Sequence, residues 1–196
     1  MFDKYLPLFD KNYLKNLKYI FIYKTMSYIL QKIDNNELEF FKKRNFYEIK
    51  YDGKKIKMLS PKVKVPFGVE NFGKNLILNL ELVDCKKNNK MHNFLSIIRS
   101  LDTFLQNCEK VGEHNVQNLT YLSNVKDRPE PFFPVLRTNI KKYGKKIITQ
   151  MISKCNTKTL HNIDKGMYVT VLLELDNIWM YNGKYGINWS VEKIYF

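Results

Sequence analysis

Cysteine is scarce in this chain: Cys85, Cys108 and Cys155 are odd in number and widely spaced, which excludes a disulfide framework and points to reduced thiols in a cytosolic or nuclear setting. Long apolar runs are missing too. The most apolar stretches, Tyr19–Tyr23 and Gly166–Leu175, are far too short to cross a bilayer. The opening residues Met1–Pro7 lack the basic start and apolar run of a signal peptide, so the expectation is an unsecreted chain with no membrane partner. Repeats, Ser/Gly linkers and low-complexity blocks are also absent, which leaves one domain core over 46–196 and a partly helical segment over 1–45 packed on it or extending it. Acidic residues are the other shortage. Against 33 Lys+Arg stand 19 Asp+Glu, a net charge of +14, and fixed charge of that size attracts polyanions without dictating a fold.

Several chemistries lack their residues. Gly68-Val69-Glu70-Asn71-Phe72-Gly73-Lys74-Asn75 falls one residue short of a phosphate-loop signature, with Asn75 where a magnesium-binding hydroxyl belongs. A strand pattern, Leu76–Leu82, follows it where that motif needs a helix. Cys108 and His114 recur at the separation of Cys155 and His161, yet zinc sites rely on short chelating pairs two to four residues apart, and none occurs. No metal or other cofactor is expected. The carboxylates Asp84, Glu109, Asp164, Glu174 and Asp176 are scattered, so nothing reads as a two-metal nuclease site, and the chain is not expected to be an enzyme.

Two hairpins, by contrast, are plainly written. Asp52-Gly53 separates Phe46–Tyr51 from Lys54–Leu59, and a two-residue turn sets Tyr51 opposite Lys54, Ile49 opposite Ile56 and Tyr47 opposite Met58. One face is then apolar, and the other carries Glu48, Lys50, Lys55 and Lys57. Asn182-Gly183 acts likewise on Asn177–Tyr181 and Lys184–Phe196, pairing Ile178 with Ile187, Met180 with Tyr185, Trp179 with Gly186 and Tyr181 with Lys184. Between them, Met91, Phe94, Leu95, Ile97, Ile98, Leu101, Phe104 and Leu105 recur at helical steps and predict an amphipathic helix packed on a sheet. Tyr19–Tyr23, Phe132–Thr138 and Gly166–Leu175 read as strands, Lys141–Lys146 as a basic turn before Ile147–Ile152, and Met26–Lys43 loosely as helix. Hairpin-linked strands with a packed helix predict a mainly β, α+β fold, a small twisted barrel or sandwich.

What remains is basic groups interleaved with rings: Lys55 and Lys57; Lys62 and Lys64 before Phe67; Phe132 and Phe133 before Arg137; Lys141, Lys142, Lys145 and Lys146 around Tyr143; and Trp179, Tyr181 and Lys184. Single-strand binding needs this mixture, since cations track the phosphates while flat rings stack on unpaired bases. The plain alternative makes the rings core and the lysines a solvated shell. For Trp179 it makes the indole a cover for Gly186 across the hairpin. Two other classes also fit the charge: a metal-dependent nucleic-acid-processing enzyme, and a basic adaptor for RNA, another polyanion or an anionic surface.

The order Ser60-Pro61-Lys62-Val63-Lys64-Val65-Pro66-Phe67-Gly68, the amphipathic helix, Phe132-Phe133-Pro134-Val135-Leu136-Arg137, and the ending Trp179-Met180-Tyr181-Asn182-Gly183-Lys184-Tyr185-Gly186-Ile187-Asn188-Trp189 resembles the single-stranded-DNA-binding proteins of nucleocytoplasmic large DNA viruses over about 46–196. The resemblance implies an OB-type five-stranded antiparallel barrel with extra strands. It also implies sequence-nonspecific binding of single strands in DNA replication, recombination or repair, and residence in cytoplasmic virus factories. Lys55, Lys57, Lys62, Lys64 and the Lys141–Lys146 turn would then contact phosphates together with Arg137 and Lys184, with Phe67, Phe132, Tyr143, Trp179 and Tyr181 as stacking rings. RNA, replication or repair proteins and a second copy of the chain stay open as partners. Related phage-type proteins end in an acidic tail capped by an aromatic residue, whereas this sequence ends Glu192-Lys193-Ile194-Tyr195-Phe196.

Overall fold

The computed structural model describes residues 38–44, 46–51, 53–153 and 159–196. Alternating burial begins at once in β1 (Leu38–Lys42) and β2 (Phe46–Tyr51), which pair antiparallel with Glu39 opposite Lys50 and Phe41 opposite Glu48. The helix expected over 26–43 is therefore a strand where its last residues are described, because pairing with β2 overrides a weak local periodicity. The rest of that helix and the expected strand Tyr19–Tyr23 lie outside the described residues.

The first hairpin holds its predicted register for two pairs, Tyr51 with Lys54 and Lys50 with Lys55, between β2 and β3 (Lys54–Lys55). Beyond it the chain turns away. β4 (Lys57–Leu59) pairs with the long strand β16 (Tyr168–Tyr181), setting Met58 opposite Leu173, while Tyr47 pairs with Ile178 instead of Met58. Burial follows the expected face, with Tyr47, Ile49, Ile56 and Met58 all in the core. What a two-residue turn cannot specify is where the strand leaves its partner to close a larger sheet.

The path continues through β5 (Val63–Lys64), β6 (Val69–Phe72) and β7 (Asn75–Glu81) to helix α1 (Asn89–Asn107). Asn88 caps the helix, its side chain accepting from the backbone N–H groups of Lys90 and Met91 at 3.0 and 3.3 Å. The predicted apolar stripe is the buried face: Met91, Phe94, Leu95, Ile97, Ile98, Leu101 and Leu105 join one core with the sheet. Each such side chain contributes about 1.5–3 kcal/mol of apolar burial. Two hydrogen bonds lock the C-terminal half of the helix to the sheet: Tyr185 Oη donates to the Leu105 carbonyl at 2.7 Å, and Tyr121 Oη donates to buried Asp102 at 2.5 Å. Burial pushes the Asp102 carboxyl above its ordinary range, against the hydrogen bonds from Ser123 and Tyr121.

After α1 come the small strands β8 (Lys110–Val111), β9 (His114–Asn115), β10 (Thr120–Tyr121) and β11 (Val125–Lys126), then β12 (Val135–Ile140). β12 starts three residues later than the sequence suggests. Pro131 and Pro134 lack amide donors, and Phe132 N–H closes a turn on the Pro129 carbonyl at 3.0 Å, so Phe132 and Phe133 precede the ladder. A miniature hairpin follows, β13 (Lys142–Tyr143) and β14 (Lys146–Ile147), with Gly144 at φ +58° between them. Next comes β15 (Gln150–Ile152).

The last two strands, β16 and β17 (Lys184–Tyr195), carry the second hairpin, and all four predicted pairs occur: Ile178 with Ile187, Met180 with Tyr185, Trp179 with Gly186, Tyr181 with Lys184. Asn182 and Gly183 both have positive φ (+48° and +70°), the turn whose twist matches its flanking strands. β16 fuses two segments that the sequence suggests as separate strands, with register shifts at Leu172/Leu173 and Leu175/Asn177 taking up the extra residues.

Pairing closes a ring. β16 pairs β5, β5 pairs β7, β7 pairs β12, β12 pairs β17, and β17 returns to β16. Numbered in chain order, these five strands run 1-2-3-5-4-1; every contact is antiparallel except β12 with β17, which is parallel. This is the OB-type barrel, with β1, β2 and the short strands as additions at its margins.

Candidate nucleic-acid interface

Strand alternation decides which side chains lie on the outer face of the barrel. On β7, Leu78 and Leu80 point into the core, so Ile77, Asn79 and Glu81 face outward; on β12, Leu136, Thr138 and Ile140 point inward, so Val135, Arg137 and Asn139 face outward. Pairing sets Asn79 opposite Arg137, and in the β6–β7 hairpin sets Glu70 opposite Ile77 and Phe72 opposite Asn75. Phe72 thus sits on the outer face, 64% exposed, with the Arg137 guanidinium 4.5 Å from its ring centroid. Phe67, 48% exposed, lines the same groove of about 360 Å³ with Lys126 and Arg128.

Arg128 bridges to a second groove, of about 990 Å³, between α1 and the loop around Pro131. Its guanidinium lies 4.4 Å from the ring centroid of Phe132, which is 52% exposed, and it donates to Glu81 at 3.0 Å. Two solvent-facing phenyl rings, each topped by an arginine, therefore stand along one continuous surface. A guanidinium held against a ring keeps one planar cation ready for a phosphate or a base while leaving ring area for stacking.

The same outer face continues sideways through Asn139, Ser190 and Glu174 to Lys57. Glu174 is buried, and three ammonium groups converge on it: Lys141 at 2.6 Å, Lys55 at 2.7 Å and Lys57 at 3.3 Å. Lys57 also reaches Glu192 at 2.5 Å and Lys141 reaches Asp176 at 3.9 Å. Burial works to raise the Glu174 carboxyl, but hydrogen bonds from Lys141 and Lys55 outweigh it and hold the group at about 2. The hydrogen bond to Glu174 raises Lys55, and the pairs with Glu192 and Glu174 raise Lys57 against its own burial. The three ammonium groups thus have a carboxylate partner within the protein, although Lys55 remains exposed. Lys64 is in a similar position, 3.1 Å from buried Glu81, which it shares with Arg128.

Other sequence-predicted residues stand more openly. Lys142, Lys145 and Lys146 are exposed on the β13–β14 hairpin, whose Tyr143 is 84% exposed. Lys62 is exposed on the bend before β5. Tyr181, 73% exposed, pairs with exposed Lys184 at the tip of the long hairpin. Trp179 is half-buried across Gly186: a Cβ added there would meet Trp179 Cζ2 at 3.1 Å and the Leu122 carbonyl oxygen at 2.6 Å. The indole covers the glycine, as the structural alternative for this residue requires.

Phe67, Arg137 and Phe132 thus share one surface, Lys55, Lys57 and Lys141 gather round Glu174, and Tyr143 and Tyr181 stand on two hairpins. Sequence reasoning missed Phe72, Lys126 and Arg128, and with them the polar pair Glu70 and Asn79. The signal was present. Val69-Glu70-Asn71-Phe72 before Gly73 is a strand entering a turn, with Gly73 at φ +58°, inside the stretch that resembles a phosphate loop. Among the described residues no three His, Cys, Asp or Glu side chains are placed to hold a metal ion.

No family model matches the chain, and no curated protein matches it. Among solved structures it is similar to the single-stranded DNA-binding protein from bacteriophage Enc34 in a C-terminally truncated form, at 10% identity and TM-score 0.47, covering 82% of this chain and 95% of that one. It is also similar to the Enc34 protein in complex with ssDNA, at 14% identity and TM-score 0.44, covering 81% and 94%.

Proposed function

We propose that this protein binds single-stranded DNA with little overall sequence preference and carries out no chemistry of its own. The observation that carries the reading is the exposed Phe72 ring under the Arg137 guanidinium, in a groove shared with Phe67 and Lys126 on the outer face of an OB-type barrel. Stacking on such rings supplies about 1–3 kcal/mol per base and accepts any base, because each has a flat face. Duplex DNA hides those faces and offers only phosphates. The Lys142, Tyr143, Lys145 and Lys146 hairpin and the Tyr181–Lys184 tip extend the same mixture of ring and cation. The role that follows is protection of single strands during replication, recombination or repair. The resemblance of the 46–196 sequence to the large-DNA-virus proteins supports placing that role in the host cytoplasm.

Phe72→Ala tests the reading. Affinity for a single-stranded oligonucleotide falls by about 1–3 kcal/mol while the salt dependence is unchanged, since a ring releases no counterions. Unchanged affinity overturns the placement. Degradation of labelled single strands on adding magnesium or manganese would favour the nuclease reading instead.

A further inference from the structure

Two carboxylates line the groove beside Phe72 and work against phosphate binding: Asp127, which is paired with Arg99, and Glu70, whose partner is the neutral Asn79 amide. Glu70 lies on the outer face of β6, exposed, with its Oε2 accepting from Asn79 Nδ2 at 2.5 Å, and both line the groove with Phe67, Phe72 and Arg137. A carboxylate on a surface meant for a polyanion costs binding through like-charge repulsion unless it meets a donor on the ligand. The phosphodiester backbone has none. The bases do, along their Watson–Crick edges.

We propose that Glu70 gives this otherwise indifferent surface one guanine-preferring position, where a base stacked against Phe72 presents its Watson–Crick edge to the carboxylate. The inference rests on the strand-binding reading above. Guanine alone carries two adjacent donors, N1–H and the N2 amino group, which match the acceptor lone pairs of a carboxylate. Cytosine and adenine offer one amino donor beside a ring-nitrogen acceptor that repels it. Thymine offers one N–H flanked by two carbonyls. The Asn79 amide fixes the Glu70 head group in place, so less side-chain freedom is lost when the base arrives. The groove, at about 360 Å³, is at the small end of ligand pockets and suits one nucleoside rather than a run of them.

The test uses fluorescence anisotropy with the full chain and a dT oligonucleotide carrying a single central dG, dA, dC, deoxyinosine or no substitution. The expected result is that the dG oligonucleotide binds about fivefold more tightly than all-dT, the low end of a good two-donor base contact because the pair is exposed. Deoxyinosine, which keeps N1–H and lacks the N2 amino group, should fall between them. In Glu70→Gln, whose melting temperature serves as the folding control, the dG advantage disappears while all-dT affinity holds or rises slightly from the lost negative charge. A second variant, Glu70→Ala, gives the same flat profile and removes doubt about new contacts from the glutamine. Tight binding with no base preference in the natural sequence, or a dG preference that survives both variants, overturns the inference and leaves strand binding standing. Failure to bind any of the oligonucleotides overturns the strand-binding reading itself.

Discussion

Glu174→Gln is the perturbation whose consequences are best defined. The carboxylate is buried under Lys55, Lys57 and Lys141, and its carboxyl lies at about 2 rather than its ordinary 4.5. A depressed carboxyl contributes stability that is fully present above the unfolded value and is lost as pH falls from about 4.5 towards about 2. At 1.36 kcal/mol per pH unit that window represents roughly 3 kcal/mol. Glutamine removes the charge at every pH and leaves three ammonium groups around a neutral amide. They can turn partly to water, to Glu192 or to Asp176. The net loss at pH 7 is therefore about 2–3 kcal/mol, or roughly 5–10 °C in melting temperature for a chain of this size. Thermal melts from pH 7 down to pH 3 provide the assay: the natural protein loses stability steeply below pH 4.5, and the variant starts lower and falls less. Freed lysines also make single-strand affinity more salt-dependent, each new phosphate contact adding about 0.7 to the log–log slope. A variant that melts like the natural protein at pH 7 and keeps its acid profile would refute this account of the cluster.

Three further predictions concern the hairpins. Trp179→Ala lowers the melting temperature, because the indole covers Gly186, and weakens single-strand binding less than Phe72→Ala does; equal melting with a large affinity loss would make Trp179 a stacking ring instead. Gly186→Ala drives a methyl group against the Leu122 carbonyl and the indole and costs about 1–3 kcal/mol of stability, read by denaturant unfolding. Replacing Lys142, Lys145 and Lys146 together by alanine weakens binding about equally for all sequences and reduces the salt slope by about 2, leaving the melt unchanged since all three are exposed.

How much of this could be seen in the sequence depended on whether the determining contacts were local. Asn182 and Gly183 set the register of β16 and β17 from Tyr181 opposite Lys184 as far as Asn177 opposite Asn188, because two residues with positive φ permit one narrow turn and those pairs follow by alternation; the bulges beyond Asn177 had no local sign. Helix α1 was equally legible, its stripe fixed by residues three and four apart. The Gly53 hairpin was legible for as long as β2 and β3 stayed together. The departure of Met58 to Leu173 was not, since that pair is created by barrel closure between distant strands.

The candidate site divides in the same way. Arg137, Phe67 and Phe132 stood out as ring and cation neighbours in sequence, and the structure gathers them. That Lys55, Lys57 and Lys141 surround one carboxylate had no local sign, because Glu174 lies 119 residues from Lys55 and 33 from Lys141. Read along the chain, Glu174 was one scattered acid on a strand. In the barrel it pairs across to Lys57 on β4 and becomes the counter-ion for lysines that looked ready for phosphate.

In the proposed function, the +14 charge and the exposed rings together select unpaired strands. A competition titration among single-stranded DNA, single-stranded RNA and the same DNA as duplex, at a low and a high salt concentration, tests it most directly. Single-stranded DNA is expected to outcompete duplex at both salts, with the preference growing at high salt, where stacking persists while counterion release fades. Equal competition by duplex at both salts, or binding that ignores salt altogether, would contradict it.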